Sequence, residues 1–319
     1  MSHALEMVNG EAQMAYVDEL PWHGLGVKVS NDLTPIQMLK AAGLDWQVNP
    51  VELFAEVGGK KFKTGHSALM RSNDNRVLDV ITDDWNPCQN TEAFEFFNDF
   101  VGAGEMEMHT AGSLKNGKII WALAKVKDSF ELFGGKDKVD AYLHFTNPHS
   151  YGQSIDVRFT PIRVVCNNTL TLSLGMKSKN SVKISHRREF DADTVKEALG
   201  VAKHKLSSYK EMAQHLSTKR FTNETVVEYF QRVFPMLTKR EDNTELSKSA
   251  NLAMDVIDTQ PGAEFGAGTW WAAFNTVTYM TDHLIGRSAD SRLTSAWYGA
   301  NKNLKIRALE TAVEMANVA

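Results

Sequence analysis

Three tight turns limit what the first half of this chain can become. Gly58-Gly59 separates residues 51–57 from 61–71, Asn73-Asp74-Asn75 separates that run from 77–82, and Lys115-Asn116-Gly117 separates 106–114 from 118–126. Gly, Asn and Asp supply the positive φ that short hairpin loops need. Turns this short join antiparallel neighbours, because a parallel pair needs a crossover of about a dozen residues or more. A doubly wound nucleotide-binding sheet is therefore excluded over this region. Val51, Leu53, Ala55 and Val57 alternate with Glu52, Phe54 and Glu56, the period of a strand. The nearly continuous apolar run over 118–126 suits a central strand, and 141–146 and 155–165 complete the sheet, with Pro161 implying an edge or a bend.

Helix signals punctuate these strands and then take over. Thr34 reads as an N-cap, Pro35 as the first helical residue, Gln37 as the closing member of a capping box and Gly43 as the stop. Over 91–101, Phe94, Phe97, Phe100 and Val101 fall on one helical face and are assigned to the core. Past Leu174, a long helix capped by Asp193 is predicted over 193–216, with further helices at 224–234, 243–257, 269–284 and 303–317. The expected class is α+β, in three parts: an N-terminal arm (1–33), an antiparallel α+β domain (34–175), and a basic loop with a helical domain (176–319). Within the arm, Pro21-Trp22-His23-Gly24 is read as an aromatic plug.

The most apolar stretch, 263–280, is interrupted by Glu264, Thr269, Asn275, Thr276 and Thr278, so no membrane helix is expected. Met-Ser-His-Ala-Leu-Glu-Met lacks the basic start and apolar core of a secretory signal, which points to the cytoplasm. Cys88 and Cys166 are far apart, match no metal spacing and are read as free thiols. No phosphate-cradling loop, dinucleotide fingerprint, zinc-protease helix or serine-hydrolase elbow occurs. Weaker constellations remain. His23 with Asp282 and His283 is an alternative metal or acid–base site, and Asp83-Asp84 lacks the partner that a nuclease magnesium site would want. No cofactor and no resident metal are expected.

Charge carries the positive case. Between Arg158 and Arg220 stand thirteen Lys or Arg against five Asp or Glu, an excess of eight on a chain whose total is −4. A basic stripe on an otherwise acidic protein directs polyanions to one surface. Arg158, Arg163, Lys177, Lys179, Lys183, Arg187 and Arg188 are the candidate contacts to backbone phosphates, with Phe159 and Phe190 as candidate platforms for stacked bases.

Several motifs bear a family likeness. Pro-Trp-His-Gly-Leu-Gly26, Asn-Pro-Cys-Gln-Asn-Thr-Glu-Ala-Phe-Glu-Phe-Phe97, Phe-Thr-Pro-Ile-Arg-Val-Val-Cys-Asn-Asn-Thr-Leu170, Trp-Ala-Ala-Phe-Asn-Thr-Val-Thr278, Asp282-His283 and Ala-Trp-Tyr-Gly299 resemble the phage/plasmid-like proteins of domain-of-unknown-function family 932. The resemblance implies a mobile-element origin, a bacteriophage in a bacterial host cell, and a role in replication or recombination. The order of helix, antiparallel hairpins and helix is also similar to the core of single-strand annealing proteins, which form oligomeric rings, a likeness of fold alone. The expectation is a non-enzymatic, homo-oligomeric protein that binds or anneals single-stranded DNA. The alternatives are a metal-dependent enzyme acting on nucleic acid and a phage protein that binds a host factor.

Overall fold

The structure, a computed structural model, describes residues 5–18, 24–163, 168–169, 182–236, 245–288, 291–292, 295–296 and 299–318. Antiparallel sheets and helices make an α+β protein, strand-rich in the N-terminal half and more helical in the C-terminal half. The chain divides into two compact units. The first is Met1–Lys127, Tyr142–Phe159 and Ser181–Val201, and the second is Asp128–Ala141, Thr160–Asn180 and Ala202–Ala319.

The strands are β1 (Met7–Val8), β2 (Glu11–Ala12), β3 (Met14–Tyr16), β4 (Val27–Lys28), β5 (Val48–Val57), β6 (Lys60–Arg71) and β7 (Val77–Thr82). After them come β8 (Met106–Leu114), β9 (Ile119–Leu132), β10 (Asp137–Pro148), β11 (Ser154–Arg163), β12 (Asn168–Thr169) and β13 (Val182–Ser185). The helices are α1 (Pro35–Ala41), α2 (Asn90–Glu95), α3 (Asn98–Gly102), α4 (Ala192–Thr218), α5 (Asn223–Val233), α6 (Lys248–Val256), α7 (Trp270–Tyr279) and α8 (Ala300–Val318).

The main sheet has the order β12-β11-β10-β9-β8-β3-β4, with β13 also on β11. Lys115, Asn116 and Gly117 all take positive φ in the β8–β9 turn, as do Gly58 and Gly59 between β5 and β6. Strand β3 was not legible as such, because three residues show no period. It nevertheless lies beside β8 with Ala15 opposite Ala111, both fully buried. Gly112 is required there, since a Cβ would come within 3.0 Å of the Gln13 carbonyl and 3.1 Å of the Trp121 ring. Pro161 falls in β11 between the residues that pair with β13, ending at Val157, and those that pair with β12, starting at Ile162. A residue with no N–H fits a stretch that has lost one neighbour before gaining the next.

Two helical expectations are refined. The α1 capping box forms, with the Thr34 hydroxyl accepting from the Gln37 amide and the Gln37 side chain from the Thr34 amide. The single helix expected over 91–101 breaks into α2 and α3 around Phe96-Phe97. Neighbours on a helix point about 100° apart, yet Phe96 and Phe97 are both buried beside Phe145. The break lets both rings enter one core.

Strands β5, β6 and β7 form a separate three-stranded antiparallel sheet. Its base is anchored by Val48, Leu69 and Ile81, all buried, and by Arg71. The Arg71 guanidinium, 1% exposed, bonds the Glu6 carboxylate, 0% exposed, which also accepts from Ser113 Oγ at 2.8 Å. Arg71 Nε donates to Asn73 Oδ1 at 2.6 Å, and the Trp46 ring lies 4.4 Å from the guanidinium carbon.

The second unit is built on α7. Trp270, Trp271, Phe274 and Val277 are all buried, Trp271 Nε1 donates to Asp137 at 2.9 Å, and the Tyr229 hydroxyl of α5 donates to the Ala308 carbonyl of α8 at 3.1 Å. The side-chain donors of the threonines and of Asn275 in and just beyond this apolar stretch bond locally. Thr276 and Thr281 donate to carbonyls four residues back, Thr278 to one three back, and Asn275 to the Trp271 carbonyl. Beyond Tyr279 the helix widens into a π turn over Met280–Leu284. There Asp282 accepts from Lys305 Nζ at 2.9 Å, both side chains being buried. Among the described residues, no helix is long and apolar enough to cross a membrane.

Removing one member of a buried ion pair strands the other charge, at a cost of about 3–5 kcal/mol. Glu6→Ala is therefore expected to lower the urea midpoint steeply. Glu6→Leu/Arg71→Met, which removes both charges, is expected to lose less than Glu6→Ala alone in the same titration.

Candidate nucleic-acid interface

Of the basic loop between β11 and α4, the structure describes Asn168–Thr169, β13 and the turn after it, and β13 and that turn lie in the first unit. Strand β13 pairs antiparallel with β11, Lys183 opposite Asp156 and Ser185 opposite Ser154, and its outward positions are Lys183 and Ser185. Two rings hold the turn that follows, His186 buried and Phe190 half-buried. His186 stacks on Trp85 with centroids 4.2 Å apart and exchanges bonds with Asn86, its carbonyl accepting from the Asn86 amide and its Nδ1 meeting the Asn86 carbonyl. Phe190 packs on Phe96 and Phe145 at 6.1 and 5.7 Å. Everything between them points outward: Arg187, Arg188 and Glu189 are exposed. Asp191 then caps α4 by accepting from the amides of Asp193 and Thr194, two residues earlier than the Asp193 cap expected from sequence.

Arg187 Nε lies 3.3 Å from Asp84 across an exposed pair. The Asp84 carboxyl is held below its usual range chiefly by the Thr82 hydroxyl, with Arg187 adding to the effect. An exposed pair of this kind contributes about 0–1 kcal/mol, so an incoming anion displaces it at little cost. Lys183 and Arg188 enter no ion pair among the described residues. Such a turn offers hydrogen-bond donors to anionic oxygens and holds no nucleophile.

The other expected contacts are distributed differently. Arg158 Nε bonds Asp156 at 2.6 Å and the arginine is largely buried. Phe159 is buried in the sheet, and Phe190 is committed to Phe96 and Phe145, so both rings serve packing in place of the stacking expected of them. Arg163 ends β11, with its side chain outside the described residues, as are Lys177 and Lys179 altogether. His23 of the alternative site is also outside them. Asp282 is engaged by Lys305, and His283 lies against the Tyr279 ring at 5.0 Å. Among the described residues, no group of three His, Cys, Asp or Glu is placed to hold a metal ion.

Sequence reading missed a buried polar cluster beneath this turn, because its members are spread over Trp46, Asn90, His149 and His186. Asn90 Nδ2 donates to the carbonyls of Leu44 and Trp46, which turns its Oδ1 toward His149 Nε2 at 2.8 Å. His149 is thereby fixed as the neutral tautomer protonated on Nε2. Burial, helped by nearby His186 and Arg71, holds its pKa down at about 3. Burial also lowers His186 and, with Arg158, His144. Burial pushes the Cys88 thiol up, with Glu92 adding to it, so no thiolate forms there near neutrality. These are groups that lock a core.

The unfolded chain protonates histidine near pH 6.5 while folded His149 resists until about 3. Between those values the unfolded state binds more protons, so stability falls as pH falls, by up to about 1.4 kcal/mol per pH unit for this group. Urea midpoints measured from pH 7 to pH 4 are expected to drop steadily, and His149→Gln to flatten part of that slope.

No curated protein and no solved structure matches the chain. A family model described as Domain of unknown function (DUF932) matches residues 77–297, which include β7 to α7 and the basic turn, and the chain belongs to that family.

Proposed function

We propose that this protein binds nucleic acid through its phosphates, preferring single-stranded DNA, and that it serves the replication or recombination of a mobile element such as a bacteriophage in the bacterial cytoplasm. One observation carries the reading: Lys183, Arg187 and Arg188 face solvent on a strand and turn pinned from beneath by His186 and Phe190. A pinned turn presents its cations with less ordering entropy to lose on binding than a loose loop would. The donors touch phosphate oxygens and read no base edges, so binding is tolerant of sequence. Arg158, given to Asp156, takes no part in this reading.

Fluorescence anisotropy with labelled single- and double-stranded oligonucleotides, repeated over a range of salt, tests it. Log affinity is expected to fall linearly with log salt, more tightly for the single strand. Arg187→Ala/Arg188→Ala is expected to reduce the slope by about 1.4, the share of two phosphates at ~0.7 each. Both side chains are exposed, so the fold is retained. An unchanged slope and affinity in the double variant would remove the turn from the reading.

A further inference from the structure

The rings expected to stack on bases, Phe159 and Phe190, are committed to packing, so the basic turn offers phosphate donors without a face for a base. Among the described residues, the large aromatic side chains most open to solvent are Phe62, 54% exposed, Phe54, 49%, and Tyr151, 43%. All three belong to the first unit, and bonded neighbours lead from the turn to each of them. Arg187 pairs with Asp84, Asp84 accepts from the Thr82 hydroxyl, and that hydroxyl lies 3.4 Å from the Tyr151 hydroxyl. Thr82 in turn stands opposite His66 of β6. From His66 the strand runs out to Lys60 over about 20 Å, at ~3.3 Å a residue. Near its end Phe54 is paired with Lys63 on one face, and Phe62 with Ala55 on the other. This hairpin is an arm. Residues 54–66 are exposed throughout, and a Cβ on Gly58, Gly59 or Gly65 would meet nothing within 4 Å. Its tip is basic, since residues 57–63 hold Lys60, Lys61 and Lys63 and no acid. Toward the root, Glu56 stands opposite Lys61, and Glu52 bonds Lys63 at 2.6 Å in an exposed pair that a polyanion displaces at little cost.

We infer that the β5–β6 hairpin is a second contact for the single strand held at the turn, with Lys60, Lys61 and Lys63 meeting phosphates and Phe54, Phe62 and Tyr151 offering faces to unpaired bases. The inference rests on the reading of the turn as a phosphate contact, and it supplies what the turn lacks. Every base has a π-face, so stacking of this kind is tolerant of sequence. It also needs bases freed from a duplex, which makes a single strand the ligand. With a ring on each face, the arm presents a platform on whichever side the strand passes. A protein surface fits the tip less well, because lysine is depleted from protein interfaces, whereas cations interleaved with exposed rings are the makeup of a single-strand site.

The test uses the full chain and labelled oligothymidine, with anisotropy read over a range of salt. Lys60→Ala/Lys61→Ala/Lys63→Ala is expected to flatten the slope of log affinity against log salt by about 2, the share of three phosphates at ~0.7 each. Phe54→Ala and Phe62→Ala are each expected to weaken single-strand binding at least about fivefold, the loss of one stacked base, while the salt slope and duplex binding stay as they were. Tyr151→Ala is expected to act in the same direction. All of these side chains are exposed, and unchanged circular dichroism confirms that the variants fold. Arm variants that bind as the wild type does, while Arg187→Ala/Arg188→Ala still flattens the slope, would overturn the arm and leave the turn standing. Arm variants that change the mass of the chain in solution but not its affinity would assign the hairpin to contact between copies and overturn the inference as well. A wild type that binds no single strand would overturn both the arm and the turn.

Discussion

One buried ion pair organises the first unit. Glu6 comes from the N-terminal segment, Arg71 from the end of β6, and Ser113, which also bonds Glu6, from β8. Each member is fully desolvated, and desolvation is repaid only when the remaining donors and acceptors are filled. Asn73, Arg76 and the face of Trp46 fill them. The pair therefore fixes three elements that share no sequence proximity, and it holds the base of the β5–β7 sheet while the rest of that sheet is left to solvent.

The same economy recurs under the basic turn. His186 and Asn90 each satisfy carbonyls or neighbours that would otherwise be buried unpaired, and the stacked Trp85 and the Phe96–Phe145 pair supply the apolar floor. A turn fixed at both ends by rings packed on the core has one side left to it, which is why Arg187 and Arg188 face outward. The histidines beneath are neutral and packed, with Asn90 in the place where a catalytic pair would have a carboxylate. Their geometry supports a scaffold for the surface above.

Much of the fold was legible in particular residues. Gly58-Gly59 and Asn116-Gly117 announce hairpins because only certain residues take positive φ cheaply, and Thr34, Pro35 and Gln37 announce α1 because unpaired helix amides want those partners. Contacts made across the chain were not legible. Asp156 and Arg158 are the exception, since two residues apart on a strand they share a face and their bond follows from the spacing. Phe159 and Phe190 are aromatic in either role, and only the neighbours Phe96 and Phe145 decide that Phe190 packs. The alternation over β5 marked a strand with two faces, but nothing local says that its apolar face stays uncovered.

In the proposed role the basic turn is a modest binding site. Of its cations, Arg187 faces Asp84, and Glu189 stands beside Arg188, so in that role one copy would grip a polyanion weakly and reversibly. A weak site becomes effective when it is repeated. Tethering two such turns makes the second contact intramolecular, and avidity of roughly 10²–10⁴-fold arises without any new interaction, provided one strand spans both sites. On this argument the acidic total of the chain is no obstacle to a polyanion ligand, because affinity is set by the number of turns that one strand meets and by the salt that competes for them.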